Sequence, residues 1–351
     1  MIGCFSLARE TFDIEFAKKK LLKTKKSLTK LNEKIIFFDD LITNDTIGEN
    51  AIKYFKNIKC KKFIVIQSTF TDAKFISAFA KKFRKPILFI SFREKRSGGR
   101  LRLNSLCGVN LALHALIKSK FYSNFIIYTN DEQSFSKEIL KFMRTNNNFT
   151  KKNYLKKINS KLVNKKIIKF KKPKLGLIGE RPEGFDTCDF NNQELKSKFN
   201  ANVTKIKLQS LFNTSSKVNI KKISETKKNI SKNLKNINHV NQKELNKSIS
   251  LFHGLEKIQQ TQNIDAFAVR CWPEMFTEYG CASCGPMAMM NENKISSACE
   301  ADVLGSLTCN ILNQLNNKPA LLVDIVDVDQ KDNTTVFWHC GLAPISMAEK
   351  N

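Results

Sequence analysis

Short, nearly uninterrupted apolar runs alternate with longer amphipathic segments in the first half of the chain, and this alternation constrains the fold most. The runs are residues 35–38, 63–66, 86–90 and 125–128. Apolar positions recur at helical spacing in the segments 12–31, 46–55, 72–83, 103–118 and 133–143. Strands without polar alternation are buried on both faces, as in parallel sheets covered by helices. The pattern predicts an α/β domain over residues 1–170.

A second α/β domain is predicted over residues 171–351. Its strands are expected at 175–179, 264–270, 320–325 and 335–339, with a helix at about 301–316. Residues 213–250 are rich in Lys, Asn and Ser, which predicts a solvent-facing helix and a polar loop. The predicted fold class is therefore α/β with two Rossmann-like parallel-sheet domains.

The net charge of +28 is unevenly distributed: the first 252 residues carry +34 and the remainder carries −6. Nucleic-acid binding and a surface of solvated lysines are both compatible with this charge. Only nine of the 60 basic residues are arginine, the residue that reads bases and phosphates bidentately. We therefore favour solvated lysines and expect no nucleic-acid partner. A polyanion-binding face on residues 151–250 is the alternative.

Neither an export signal nor an apolar run of membrane-spanning length is present in the sequence. The ten cysteines are therefore expected as reduced thiols, and the expected location is the cytoplasm, away from membranes. Cys281 and Cys284 form a CxxC pair, but no second pair accompanies it to predict a zinc site, and its small-residue surroundings do not favour thioredoxin-like chemistry.

Acidic and imidazole side chains gather at the expected strand ends of the second domain. Glu274, Asp324 and His339 each follow or end a strand, and Glu300 precedes a helix. Ligands bind beyond the carboxyl ends of strands in open α/β sheets, and a helix with its strand returns the chain to one edge. Glu300 and Asp324 can then converge into an oxygen and nitrogen site for a divalent ion such as Mn²⁺. The alternative is that Glu300 and Asp302 are helix N-terminal carboxylates and that Asp324 is a turn residue.

Three further residues are candidate ligand contacts. Trp272 offers an aromatic face, with a packed core tryptophan as the alternative. Arg100 and Asn104 offer polar side chains, with a turn and a helix start as the alternative.

Several longer motifs resemble the L-fucose/L-arabinose isomerase superfamily, and in particular its fucose-isomerase-like members. They are residues 5–9, 98–108, 179–186, 271–274, 298–302, 323–324 and 339–344. The resemblance implies a homo-oligomeric, Mn²⁺-dependent aldose–ketose isomerase that acts on a monosaccharide through a cis-enediol. Glu300 and Asp324 match the family's pair of metal ligands and acid–base groups, and His339 matches a histidine ligand. Trp272, Glu274, Arg100 and Asn104 are the expected substrate contacts.

The resemblance also implies a third, mainly β domain with another metal-binding histidine. Because the sequence ends ten residues after Gly341, we expect that the chain is a fragment or that this domain is lost. Two other functions stay open: a catalytically incomplete sugar-binding scaffold, and a basic polyanion-binding protein.

Overall fold

The computed structural model describes residues 1–31, 34–95, 98–121, 125–129, 136–145, 172–234 and 236–348. The chain divides into two compact units. The first comprises Met1–Lys156 with Asp324–Trp338, and the second comprises Lys157–Val323 with His339–Asn351. The predicted boundary at 170/171 lies outside the described residues. Unlike the prediction, the structure groups residues 324–338 with the first unit.

The first unit is built on a parallel five-stranded sheet in the order β2-β1-β3-β4-β5. Its strands are β1 (Ile2–Leu7), β2 (Ile35–Ile42), β3 (Lys62–Gln67), β4 (Ile87–Phe92) and β5 (Phe125–Thr129). The helices are α1 (Ile14–Thr29), α2 (Asp45–Lys56), α3 (Lys74–Phe83), α4 (Ser105–Lys118) and α5 (Ser136–Arg144). All four predicted runs are strands and all five predicted segments contain helices. The sequence interpretation missed β1, the second strand of the sheet.

Aromatic packing fills one side of this sheet. Phe5, Phe55, Phe63 and Phe79 are almost completely buried. The rings of Phe63 and Phe79 meet edge to face with centroids 4.8 Å apart. Gly3 is required beside them, because a Cβ atom there would lie 2.5 Å from the Phe63 ring. This packing explains why β1 tolerates a glycine in its interior.

The second unit has a parallel four-stranded sheet in the order β7-β6-β8-β9. Its strands are β6 (Lys174–Ile178), β7 (Asn202–Ile206), β8 (Ala266–Val269) and β9 (Ser297–Ala298). The helices are α6 (Asn192–Phe199), α7 (Leu208–Ser216), α8 (Ile220–Ile230), α9 (Gln242–Gln262), α10 (Cys284–Glu292) and α11 (Val303–Asn316). The polar segment 213–250 is more helical than expected, since it includes the end of α7, all of α8 and the start of α9. The helix α8 has no buried residue, as the composition predicted.

The predicted strand 320–325 is wrong in its bounds and in its sheet. The strand β10 (Asp324–Asp329) begins where the prediction nearly ended, and it pairs antiparallel with β11 (Thr334–Trp338) as a separate two-stranded ribbon. The alternation of Asp with apolar residues suits a half-exposed ribbon rather than a buried parallel strand.

Ion pairs tie this hairpin to the first unit. Arg93 donates to both carboxylate oxygens of Asp327, at 2.9 and 2.6 Å, and lies 2.9 Å from Asp329. The Tyr128 hydroxyl also donates to Asp327, which is only 1% exposed. The burial of Asp327 and the ion pairs of Arg93 with Asp327 and Asp329 explain why residues 324–338 belong to the first unit.

Candidate functional site

The chain beyond β8 turns sharply at the carboxyl edge of the second sheet. Arg270 donates from Nε to Glu274 Oε2 at 2.6 Å and from Nη1 to the Glu180 carbonyl at 3.0 Å. The bond from Arg270 lowers the pKa of the Glu274 carboxyl. Trp272 packs against Phe185, with ring centroids 5.4 Å apart. Glu274 is thus ion-paired within this turn. A sugar that contacted Glu274 would share its carboxylate with Arg270.

Glu300 lies on a left-handed turn between β9 and α11. Both Glu300 and Ala301 have positive φ, at 58° and 54°. The Glu300 N–H donates to Cys271 Sγ at 3.3 Å, and the Ala301 N–H donates to the Val269 carbonyl at 3.0 Å. Two consecutive non-glycine residues in this region are costly, and such backbone is concentrated at functional sites. The turn therefore marks Glu300 as the strongest candidate at this edge.

Asp302, not Glu300, caps the helix that follows. Its Oδ1 accepts the N–H of Gly305 at 2.8 Å, and α11 begins at Val303. Of the two carboxylates that the alternative assigns to the start of this helix, Asp302 is the cap and Glu300 lies two residues before it. A glycine is needed at 305, because a Cβ atom there would lie 2.4 Å from the Asp302 carboxylate.

His339 contacts the thiols of Cys299 and Cys340, which in turn contact those of Cys271 and Cys284. We call these five residues the Cys–His cluster (Cys271, Cys284, Cys299, Cys340 and His339). His339 Nε2 lies 3.1 Å from Cys299 Sγ, and Nδ1 accepts the Cys340 N–H at 2.9 Å. The Cys284 and Cys340 sulfur atoms are 3.6 Å apart. The sequence located six cysteines in this region but gave no signal of which would meet, because their contacts join segments far apart in the chain.

The thiols of the Cys–His cluster have shifted acidities. A hydrogen bond with Cys299 lowers the pKa of Cys271, and the same bond together with burial raises the pKa of Cys299. A hydrogen bond with Cys340 lowers the pKa of Cys284. Negative charge on Glu300, the next residue in the chain, also raises the pKa of Cys299.

Asp324 belongs to the first unit, where it is the first residue of β10 and lies opposite Trp338. Burial raises the pKa of its carboxyl, and a hydrogen bond with the Cys107 side chain opposes that shift. The prediction that Asp324 ends a strand of the same sheet as Glu300 is wrong. Glu300 and Asp324 therefore do not follow strands of one sheet, and their pairing remains a prediction.

Arg100 and Asn104 lie in the first unit on a segment held by a buried carboxylate that the sequence interpretation missed. Glu94, which is 8% exposed, accepts the backbone N–H groups of Arg102, Leu103 and Asn104 at 3.2, 2.7 and 2.5 Å. Asn104 has a φ of 48° at the start of α4. Its buried Oδ1 has no hydrogen-bond partner among the described residues.

The exposed end of that segment is anchored by arginines. Arg100 donates to the Thr11 carbonyl at 2.9 Å, and Arg102 pairs with Asp13 at 2.6 Å. The hydrogen bonds to Asp13 from the Phe16 N–H and from Arg102 lower the pKa of its carboxyl. The predicted site residues thus divide between the units: Arg100, Asn104 and Asp324 in the first, and Trp272, Glu274, Glu300 and His339 in the second.

The predicted ligands suit Mn²⁺ in donor type, since Mn²⁺ prefers carboxylate and imidazole ligands. Over the described ranges, no three His, Cys, Asp or Glu side chains are grouped as metal ligands. His339 Nδ1 accepts a hydrogen bond, so a neutral ring carries its proton on Nε2, as assigned from the hydrogen-bond partners. In this orientation neither ring nitrogen offers a lone pair to a metal.

A cavity of about 530 Å³ lies away from these residues in the second unit. It is lined by Lys217, Lys222 and Lys257 together with His253. The buried His253 bonds to Glu256 at 2.6 Å and to Thr226 at 2.8 Å, so it has the partners that the sequence did not reveal. Because Lys222 also approaches Glu256 at 3.5 Å, part of the cavity's positive charge is compensated.

Comparison with known proteins assigns the family. The sequence model of the fucose/sulfoquinovose isomerase N-terminal domain matches residues 3–178. A sulfoquinovose isomerase of Priestia aryabhattai is 29% identical over 344 residues, which cover 97% of this chain and 73% of that protein. One of Alkalicoccus urumqiensis is 30% identical over 289 residues, covering 82% and 61%. The chain belongs to the fucose/sulfoquinovose isomerase family of aldose–ketose isomerases.

Proposed function

We propose that this chain interconverts an aldose and its ketose through a cis-enediol, with Glu300 and Asp324 as the acid–base pair. The observation that carries the proposal is the left-handed backbone at Glu300, which fixes a carboxylate at the carboxyl edge of the second sheet. The relatives named above are sulfoquinovose isomerases, which makes sulfoquinovose the first candidate substrate; L-fucose and L-arabinose are the next.

The reaction moves one proton between adjacent carbons and another between their oxygens, so it needs groups that accept and return protons. Glu300 is the proposed base for the carbon-bound proton. Asp324 is the proposed carrier of the hydroxyl proton, and burial raises the pKa of its carboxyl while no metal is bound.

Mn²⁺ is the proposed cofactor, with Glu300, Asp324 and His339 as ligands. When bound it would supply Lewis-acid polarisation of the substrate oxygens. His339 can take part through Nε2 only in the other tautomer, with its proton on Nδ1, at the expense of the bond that Nδ1 accepts from the Cys340 N–H. Trp272, Glu274, Arg100 and Asn104 are the proposed sugar contacts in a homo-oligomeric, cytoplasmic enzyme.

The test is ketose formation by the 351-residue chain with Mn²⁺, measured over sulfoquinovose, L-fucose and L-arabinose. Glu300→Gln is expected to lower kcat by roughly 10²–10⁴-fold, the usual contribution of general acid–base catalysis. Glu278→Gln is the matched control, because Glu278 is exposed at the same edge. Undiminished turnover by Glu300→Gln would overturn the assignment. Sugar binding without turnover by the unsubstituted chain would instead support the scaffold alternative.

A further inference from the structure

We propose that Cys284 and Cys340 form a reversible disulfide and are a thiol modification site of this protein. Their sulfur atoms are 3.6 Å apart, and both residues belong to the second unit. A disulfide has an S–S distance of about 2.05 Å, so the sulfur atoms need to approach by only about 1.5 Å. This pair is not the CxxC pair of the sequence, which consists of Cys281 and Cys284.

Three contacts hold the Cys340 segment against the helix that Cys284 begins. A Cβ atom on Gly341, which has a φ of 137°, would lie 3.0 Å from Cys284 Cβ, so the backbone after Cys340 passes directly over Cys284. Asn291 of α10 donates to the Leu342 carbonyl at 3.1 Å, and the Leu342 side chain is completely buried.

The third contact is made by the next residue of α10. Glu292, the last residue of α10, accepts the N–H and the hydroxyl of Ser346, each at 2.9 Å. Because both flanking elements are fixed, the two thiols remain neighbours without any rearrangement of the chain. The disulfide would therefore join two sulfur atoms that are already neighbours.

Exposure distinguishes this pair from the other thiols of the Cys–His cluster. Cys340 is exposed and Cys284 is partly exposed, so a small oxidant in solution can reach them. Cys299, which contacts Cys271, is only 3% exposed and is also engaged with His339. Cys281, the other member of the CxxC, is 5% exposed and its sulfur points to the Ala282 carbonyl at 3.4 Å.

The proposed oxidant is a low-molecular-weight disulfide, and the reaction is two thiol–disulfide exchanges. The Cys284 sulfur, whose pKa is lowered by its hydrogen bond with Cys340, attacks the oxidant, forms a mixed disulfide and releases one small thiol. The Cys340 sulfur then attacks Cys284, forms the intramolecular bond and releases the second small thiol. The two protein thiol protons end on the two released thiols, and the oxidant takes up both electrons.

Oxidation of Cys340 would change the contacts of His339. The Cys340 sulfur lies 3.6 Å from His339 Nδ1, and the Cys340 N–H donates to the same nitrogen. Drawing the sulfur toward Cys284 removes one of these contacts from a proposed site residue. We therefore expect the oxidised chain to lose isomerase activity and a thiol reductant to restore it. This expectation about activity rests on the proposed function, whereas the disulfide itself does not.

The experiment maps disulfides in the full chain. Reduced protein is incubated with oxidised glutathione, quenched with N-ethylmaleimide and analysed as peptides by mass spectrometry. A Cys284–Cys340 cross-linked peptide is expected to form, to disappear with dithiothreitol and to be absent from Cys284→Ser and Cys340→Ser. Cys340→Ser is expected to stop at a glutathione adduct on Cys284. Cys309→Ser is the control, since the buried Cys309 of α11 takes no part, and it retains the cross-link.

A Cys271–Cys299 cross-link in place of the expected one would overturn the proposal. So would free Cys284 and Cys340 thiols in oxidised protein whose circular dichroism shows it folded. Activity is read in parallel on the same samples. A mapped disulfide in a chain without isomerase turnover would refute the proposed function and leave the modification site standing.

Discussion

At the scale of single residues, Glu94 shows how one carboxylate can organise a segment. It accepts three consecutive N–H groups that precede or begin a helix, and that segment carries two proposed sugar contacts, Arg100 and Asn104. The sequence could not reveal Glu94, because nothing in its spacing differs from that of a surface glutamate. The sequence did identify Glu300, since that residue occurs in a longer motif.

We expect Glu94→Ala to lower the free energy of unfolding by about 3 kcal/mol, because it leaves buried N–H donors without an acceptor. Glu94→Gln is expected to lose only about 1 kcal/mol, since its amide oxygen can keep the bonds to Leu103 and Asn104. Urea unfolding measures both, with the exposed Glu49→Ala as control. Equal losses from the Ala and Gln variants would contradict the role given to Glu94.

Asp324 is expected to destabilise the metal-free fold at neutral pH. Its pKa is raised in the folded protein, so the folded state holds the proton more tightly than the unfolded chain does. The contribution of Asp324 to the free energy of unfolding is fully present at pH values below about 3.9, the pKa of Asp in an unfolded chain. It is lost as the pH rises through the pKa of Asp324 in the folded protein.

We therefore expect Asp324→Asn to be more stable than the unsubstituted chain at pH 7, with a gain that vanishes as pH falls toward 4. Unfolding by urea in the presence of EDTA, repeated across this pH range, measures the gain. A pH-independent difference would contradict the raised pKa, because a neutral side chain alters stability without titrating.

At the scale of elements, periodicity predicted well where apolar runs were continuous and poorly where they were mixed. The strands β2 to β5 were predicted because each is a short apolar run. The strand β1 was missed because Gly, Cys and Ser interrupt it, and β9 because it has only two residues. Residues 320–323 are apolar and were predicted as part of a strand, but the strand β10 begins only at Asp324.

The end of α3 offers a test of local backbone cost. Arg84 has a φ of 48° where the helix stops, and its N–H donates to the Ala80 carbonyl. A left-handed cap favours glycine, so Arg84→Gly is expected to raise the free energy of unfolding by about 0.5–1 kcal/mol. Arg84→Ala is the matched control and should give no gain. A gain shared by both variants would point to the arginine side chain, not to its φ.

At the scale of the whole molecule, the sequence predicted two parallel-sheet α/β units but could not predict that the first is discontinuous. The hairpin 324–338 joins that unit through Arg93 and Tyr128, and this pairing spans roughly 200 residues of sequence. Local periodicity carries no information over such a distance. No described helix is long and apolar enough to cross a membrane.

We expect Asp327→Ala to lower the free energy of unfolding by about 3 kcal/mol, because it removes the buried partner of Arg93 and Tyr128. Hydrogen–deuterium exchange should rise over Asp324–Trp338. The matched control is Asp39→Ala, which breaks an exposed pair with Lys25 at a similar distance of 2.7 Å and should cost at most about 1 kcal/mol. Similar costs for the two variants would contradict the anchoring role of Asp327.

The late position of the hairpin has a consequence for synthesis on the ribosome. The second unit, Lys157–Val323, is translated between the first unit's helices and the hairpin that completes it. At about 5–20 residues per second, this interval lasts roughly ten to thirty seconds. Throughout it the nascent chain carries the Arg93 guanidinium without Asp327. A chaperone-depleted translation extract should therefore show protease-sensitive nascent chains that become resistant once the hairpin is free of the ribosome.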